Sequence, residues 1–150
     1  AYQTPADNSY SKSPLDVPSA TFPEKASEFE AQTAIGGGPV LINKGKIVDT
    51  WKEELFEVGG VEPASSQPRT AVGVTSDKKM IMFVCEGRNM TEGVKGMTTA
   101  EVAEILKDLG CVEAINLDGG GSTCMLVNGK ETIKVSDGAQ RAVASAVYFK

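Results

Sequence analysis

The stretch Ile115-Asn116-Leu117-Asp118-Gly119-Gly120-Gly121-Ser122-Thr123 decides how this chain folds. Apolar residues alternate with polar ones up to Asp118, which predicts a buried strand that ends in a carboxylate. The three glycines that follow can adopt left-handed backbone angles and leave their N–H groups open to a ligand. The hydroxyls of Ser122 and Thr123 add short donors at the same place. This pattern favours a site for an anionic substrate, although three glycines between strands can also be only a bulged connection.

The segment just before this stretch predicts the best-defined helix of the chain. Thr98 with Glu101 three residues later forms a capping box, so the helix is expected over about 98–109. Its apolar face repeats at helical spacing and comprises Val102, Ile105, Leu106 and Leu109. Gly110 ends it, and the chain then enters the central strand, Val112 to Leu117. We expect this helix to pack its apolar face on the sheet.

Further strands on both sides predict an α+β fold with a mostly antiparallel sheet of hairpins. The predicted strands are Val40–Asn43, Lys46–Val48, Ala71–Thr75, Met80–Cys85, Lys130–Val135 and Ala142–Phe149. Residues 1–34 are rich in Ser, Pro and Glu and are expected to be an extended or weakly ordered segment, with the domain at 35–150. Gly36-Gly37-Gly38 before the first strand resembles the central glycine run and could form a second entry to one site, although chance similarity explains it as well.

Composition excludes several classes of function. The 150 residues carry a net charge of −5, which argues against nucleic acid or an anionic membrane as a partner. No run of about 18 apolar residues is present, so no membrane span is predicted. The absence of His removes His-dependent triads and metal sites. Cys85, Cys111 and Cys124 form no Cys-x-x-Cys motif and are expected to be buried apolar residues, although one disulfide is possible. The chain starts at Ala1 without Met, which suggests a processed or trimmed product.

A set of ordered motifs resembles the phosphodiester glycosidase family. The matching segments are Gly37–Leu41, Pro68–Gly73, Glu86-Gly87-Arg88, Gly96-Met97-Thr98, Asn116–Thr123, Asn128-Gly129, Ser136-Asp137-Gly138 and Arg141. The resemblance implies hydrolysis of a sugar-1-phosphodiester of the N-acetylglucosamine type, with a sugar phosphate or glycan as substrate. It also implies an extracytoplasmic location. Two departures stand out: Glu86 replaces a common Asp, and the family's usual upstream half with an Asn-Gly-Phe-like motif is not found in this sequence. The resemblance therefore implies that 35–150 is the C-terminal part of a larger domain, with the N-terminal half of the same protein as its partner.

The resemblance and the residue chemistry together give a set of site residues. Asp118 and Glu86 are the expected catalytic carboxylates, because glycoside hydrolysis generally uses such a pair. The expected substrate and phosphate ligands are Arg69, Thr70, Arg88, Gly119, Gly120, Gly121, Ser122, Thr123 and Arg141. No cofactor is required by this chemistry, although Asp118 or Asp137 could take Ca²⁺ or Mg²⁺. The alternatives are a non-catalytic carbohydrate- or phosphate-binding domain and a structural module of a surface assembly.

Overall fold

The computed structural model describes residues 35–52, 54, 56 and 60–149, so the prediction for residues 1–34 lies outside the described part. Its centre is a five-stranded sheet made of β1 (Val40–Asn43), β2 (Lys46–Ile47), β3 (Arg69–Thr75), β4 (Met80–Cys85) and β5 (Cys111–Asn116). The strand order is β2-β1-β5-β3-β4, and every neighbouring pair is antiparallel. One α-helix lies within the described residues: α1, which spans Thr99–Asp108. The predicted α+β class with a mostly antiparallel sheet is confirmed.

The strand β5 lies at the middle of the sheet, as the alternating pattern before Asp118 predicts. It pairs with β1 on one side and with β3 on the other. Because β4 and β5 both run antiparallel to β3, their carboxyl ends lie at the same edge of the sheet. The chain also enters β1 and β3 at this edge, which we call the entry edge.

The helix α1 covers one face of the sheet and begins as the sequence predicts. The Thr98 hydroxyl accepts from the Glu101 N–H, and the Glu101 carboxylate accepts from the Thr98 N–H at 2.8 Å. Val102 and Leu106 are fully buried among apolar side chains of the sheet. The prediction for Leu109 is wrong, because the helix ends at Asp108 and the side chain of Leu109 is 52% exposed. Ala103 takes its place in the buried helix face.

Downstream of β5 the chain forms less strand than predicted. A small hairpin joins β6 (Leu126–Val127) to β7 (Lys130–Glu131), so the predicted strand 130–135 is cut to its first two residues. The predicted final strand Ala142–Phe149 is wrong, since none of it lies in a sheet and its apolar side chains are exposed. An alternating apolar segment forms a strand only where a neighbour can pair with its backbone. No described residues supply such a neighbour to this segment.

The other face of the sheet is apolar but uncovered within the described residues. Val74, Met80 and Met82 on this face are between 36% and 47% exposed.

No described helix is long and apolar enough to cross a membrane. All three cysteines are free, and only Cys111 is fully buried, against Gly73 in the centre of the sheet.

Candidate active site at the entry edge

Asp118 follows the end of β5 at the entry edge, where the sequence places it. Its side chain is exposed, and it accepts no hydrogen bond from the described residues. The segment Gly37–Pro39 lies against the same strand end, because the Gly38 N–H donates to the Asn116 carbonyl at 2.7 Å. The side chain of Asn116 is buried and donates back to the Gly38 carbonyl at 2.9 Å. The two glycine-rich segments therefore meet beside the carboxylate.

Each glycine after Asp118 has its own structural reason. A Cβ on Gly119 would lie 2.8 Å from the Pro68 carbonyl oxygen, so only glycine fits beside β3. Gly120 has a φ of +56° and starts a short 3₁₀ turn over Gly120–Ser122. A Cβ on Gly121 would lie 2.2 Å from the Asp137 carboxylate. The room left by each missing side chain is taken by protein groups: the Pro68 carbonyl at Gly119, Arg88 at Gly120, and Asp137 with Arg141 at Gly121.

The backbone N–H groups of this turn are less open than the sequence suggests. The N–H of Gly120 donates to the Pro68 carbonyl at 2.9 Å, and the Ser122 N–H donates to the Gly119 carbonyl at 3.0 Å. The Gly120 N–H is therefore committed to holding the turn on β3. Thr123 is 1% exposed, and the Thr70 hydroxyl lies 3.3 Å from the Thr123 hydroxyl. The hydrogen bond between these two threonines links the end of the turn to β3.

Two arginines converge on the glycine turn from different parts of the chain. The guanidinium of Arg88, which follows β4, lies 3.0 Å from the position of a Cβ on Gly120. Arg141 places Nη1 3.4 Å from the Ser122 hydroxyl. The Asp137 carboxylate lies between the two arginines: Oδ2 accepts from Arg141 Nη2 at 2.5 Å, and Oδ1 is 3.8 Å from Arg88 Nη1. All three side chains are 36% to 49% exposed, so this cluster faces solvent.

Neighbouring polar groups hold Arg88 in this position. Its Nε donates to the Gln67 side-chain oxygen at 3.1 Å, and Nη1 is 3.5 Å from the Ser136 hydroxyl. Gln67 lies beside β3, and Ser136 precedes Asp137. Among the described residues, Arg88 forms no ion pair with the neighbouring Glu86 and instead faces Asp137.

Glu86 also lies at the entry edge but binds the downstream loop. Its Oε2 accepts from the backbone N–H of Lys134 at 2.9 Å. The Thr91 hydroxyl and this N–H hold the pKa of Glu86 below its ordinary value. No contact joins Glu86 to Asp118 among the described residues. At the backbone the two strand ends are separated by one strand, a distance of about 10 Å.

The contacts of Arg69 favour a structural role over the phosphate-binding role expected from the sequence. This side chain is 2% exposed, and its guanidinium donates to four backbone carbonyls, those of Val61, Glu62, Ser65 and Met97, at 2.7–2.8 Å. Burial lowers the pKa of the guanidinium, although these carbonyls surround it with acceptors. Four of its five N–H groups are used, so it is poorly placed to bind phosphate. Arg69 instead ties the 61–65 segment and the segment before α1 to β3.

Sequence reasoning missed the position of Asp137 between the arginines. The sequence analysis includes Asp137 in a family-like motif and as a possible ligand for Ca²⁺ or Mg²⁺, but does not pair it with Arg141, for which the four-residue spacing is the available signal. In the described part of the chain, no group of three His, Cys, Asp or Glu side chains could hold a metal ion. The cluster combines two guanidinium groups, two serine hydroxyls and the Asp137 carboxylate on the glycine turn that follows Asp118.

Comparison of the sequence and the fold with known proteins shows which proteins this chain is similar to. Residues 11–150 match the sequence model of the family described as phosphodiester glycosidase. The mouse N-acetylglucosamine-1-phosphodiester alpha-N-acetylglucosaminidase is 34% identical over 108 residues, which are 71% of this chain and 20% of the mouse protein. The catalytic domain of the zebrafish enzyme of the same name superposes with a TM-score of 0.56 at 34% identity, over 68% of this chain and 34% of that one. A hypothetical protein from Synechocystis gives a TM-score of 0.59 at 31% identity, over 70% of this chain and 19% of its own. The chain thus spans about a fifth of the curated mouse relative.

Proposed function

Because this chain belongs to the phosphodiester glycosidase family, we propose that it hydrolyses a sugar-1-phosphodiester of the N-acetylglucosamine type at the glycosidic carbon. The observation that carries the proposal is the convergence of Arg88 and Arg141 on the glycine turn next to Asp118. A phosphodiester carries one negative charge, and planar guanidinium groups suit its oxygens.

The phosphate is proposed to bind between the two arginines. Both guanidinium groups are about half exposed, so an incoming anion can reach them without unfolding the site. The hydroxyls of Ser122 and Ser136 lie beside the guanidinium groups and offer further donors. Among the predicted ligands, this set retains Arg88, Gly121, Ser122 and Arg141 and leaves out Arg69.

Asp118 is proposed to act on the sugar. Its carboxylate is exposed, it precedes by two residues the Gly120 that Arg88 approaches, and no described residue hydrogen-bonds to it, so it is free to stabilise or attack an oxocarbenium-like centre. Glu86 has a lowered pKa and stays ionised at neutral pH, so it suits the role of base or electrostatic partner and not that of acid. A phosphate leaving group is a weak base and needs little help from an acid.

Cofactor and location remain parts of the proposal. The reaction requires no cofactor in this scheme, and Ca²⁺ or Mg²⁺ at Asp118 or Asp137 stays an open prediction. An extracytoplasmic setting is proposed from the family resemblance alone. The relatives are much longer than this chain, so other parts of a longer protein could supply additional groups.

The second candidate is a non-catalytic domain that binds carbohydrate or phosphate. It is favoured by one observation: among the described residues no contact joins Glu86 to Asp118, whereas two arginines converge on the glycine turn. The two candidates share the phosphate contacts and differ in what Asp118 does.

Mutation of Asp118 and of Arg141 tests the proposal. The substrate is an aryl phosphodiester of N-acetylglucosamine, and released sugar is measured over a range of concentrations. Asp118→Asn should lower kcat about 10²-fold or more, and Arg141→Gln should mainly raise KM. Asp77→Asn serves as the control, because Asp77 is an exposed, ion-paired carboxylate in the turn at the opposite end of β3. Phosphate binding without sugar release in every preparation would favour the binding domain.

A further inference from the structure

The Asp137 carboxylate is bound the way a substrate phosphate would be bound. One oxygen accepts from Arg141 Nη2 at 2.5 Å and from Arg141 Nε at 3.0 Å, and the other oxygen faces Arg88 at 3.8 Å. A phosphodiester group likewise offers two free oxygens on one centre. The carboxylate therefore lies where two guanidinium groups would otherwise hold the anion.

We propose that Asp137 is a built-in substitute for the substrate anion, which holds Arg88 and Arg141 in place when the site is empty and is displaced when a phosphate group binds. This inference rests on the proposed function, because it concerns the same pair of arginines. It assigns to Asp137 the role of a competitor that tunes anion affinity.

Displacement of the carboxylate is inexpensive because the cluster is exposed. The side chain of Asp137 is 36% exposed and those of the arginines are 47% and 49% exposed. Ion pairs in contact with water contribute little to stability, so a phosphate group can replace this one. Asp137 also belongs to a turn in which the Gly138 N–H donates to the Val135 carbonyl at 3.1 Å. Val135 is buried and anchors this loop, so the Asp137 side chain can rotate away without moving the backbone.

The surroundings of the cluster preserve the arginine positions after displacement. Arg88 keeps its contacts with Gln67 and Ser136, and Arg141 keeps its contact with Ser122. Gly121 has no side chain, and the Arg141–Asp137 pair fills the position that its Cβ would take, so a phosphate group that replaces the carboxylate gains that room. The phosphate would thus meet arginines that are already oriented, which reduces the entropy cost of binding.

Calorimetric titration with inorganic phosphate tests the inference on the chain and on three variants. Asp137→Asn removes the competing charge and should bind phosphate about two- to fivefold more tightly, the range set by an exposed ion pair. Asp137→Glu keeps the charge and should stay within about twofold of the original affinity. Asp77→Asn removes a similar exposed ion pair, Asp77–Lys79 at 2.7 Å, and should change nothing.

Each outcome separates this inference from the proposed function. Weaker phosphate binding by Asp137→Asn would show that the carboxylate only orients the arginines and would overturn the inference, as would absence of binding by both proteins. Turnover of a sugar phosphodiester is measured separately. Tighter phosphate binding by Asp137→Asn together with no turnover would support the inference and count against the proposed hydrolysis.

Discussion

Replacement of Arg69 by Met should lower the free energy of unfolding strongly and leave phosphate binding by the folded protein largely unchanged. The side chain is 2% exposed, and its guanidinium donates four hydrogen bonds of 2.7–2.8 Å to backbone carbonyls. A hydrogen bond to a charged group contributes about 1.5–3 kcal/mol, and the contributions of one side chain are not additive. In the variant, the backbone carbonyls of the 61–65 segment can accept hydrogen bonds from water instead, which recovers part of this loss. The expected loss in the free energy of unfolding is therefore about 3–5 kcal/mol.

The assay is urea unfolding followed by circular dichroism, with Arg88→Met as the matched control. Arg88 is about half exposed and makes longer contacts of 3.1–3.8 Å, so its loss should change stability by no more than about 0.5 kcal/mol. Arg88→Met should instead weaken phosphate binding. Arg69→Lys can keep one or two of the bonds and should lie between the original protein and Arg69→Met. A stable Arg69→Met protein that has lost phosphate binding would refute the structural role and restore the predicted ligand role.

Three further outcomes follow from the same structure. Gly73→Ala should lower the free energy of unfolding by about 1–3 kcal/mol, because the new Cβ would lie 2.6 Å from Cys111 Sγ in the sheet. Adding Cys111→Ala should restore part of this stability in thermal or urea unfolding. If it restores none, the clash is not with this sulfur. Thr98→Ala should cost about 1 kcal/mol through loss of the capping box, and an unchanged melting temperature would show that the cap contributes nothing. The pKa of Glu86 is lower in the folded protein, so its contribution to stability is present above the ordinary carboxyl pKa and is lost as the pH falls through the folded value. Glu86→Gln should therefore be less stable than the original protein at neutral pH but not in acid. A difference in urea unfolding that does not depend on pH would contradict this.

Much of the sheet and helix follows from local patterns in the sequence. The alternation before Asp118 predicts a strand, because successive side chains of a strand point to opposite faces of the sheet and a strand with one buried face carries an apolar residue at every second position. The capping box at Thr98 predicts the start of α1, because its hydrogen bonds lie within four residues. These are short-range rules, and they hold where tertiary contacts agree with them.

The errors arise where a distant partner decides the outcome. The segment Ala142–Phe149 has a strand pattern but finds no pairing strand among the described residues. Leu109 has the right helical spacing but lies beyond the last turn. Arg69 looks like a phosphate ligand in the sequence, and only the fold brings four carbonyls around it.

The candidate site was predictable in its parts but not in its assembly. Arg88, Ser122 and Arg141 are among the predicted ligands, and the fold brings them to one cluster. The position of Asp137 within that cluster depends on a turn that lies about fifty residues from Arg88. The roles of Asp118 and Glu86 stay predictions, since no contact in the structure tests them.

Sugar release from an aryl phosphodiester of N-acetylglucosamine is the most direct test of the proposal that this protein hydrolyses a sugar-1-phosphodiester with Asp118 acting on the sugar. The protein is compared with Asp118→Asn, and circular dichroism establishes that both are folded. We expect release by the original protein and at least about a 10²-fold lower rate for Asp118→Asn, with equal melting temperatures. Equal rates for the two folded proteins, or no release by either, would contradict hydrolysis by this site.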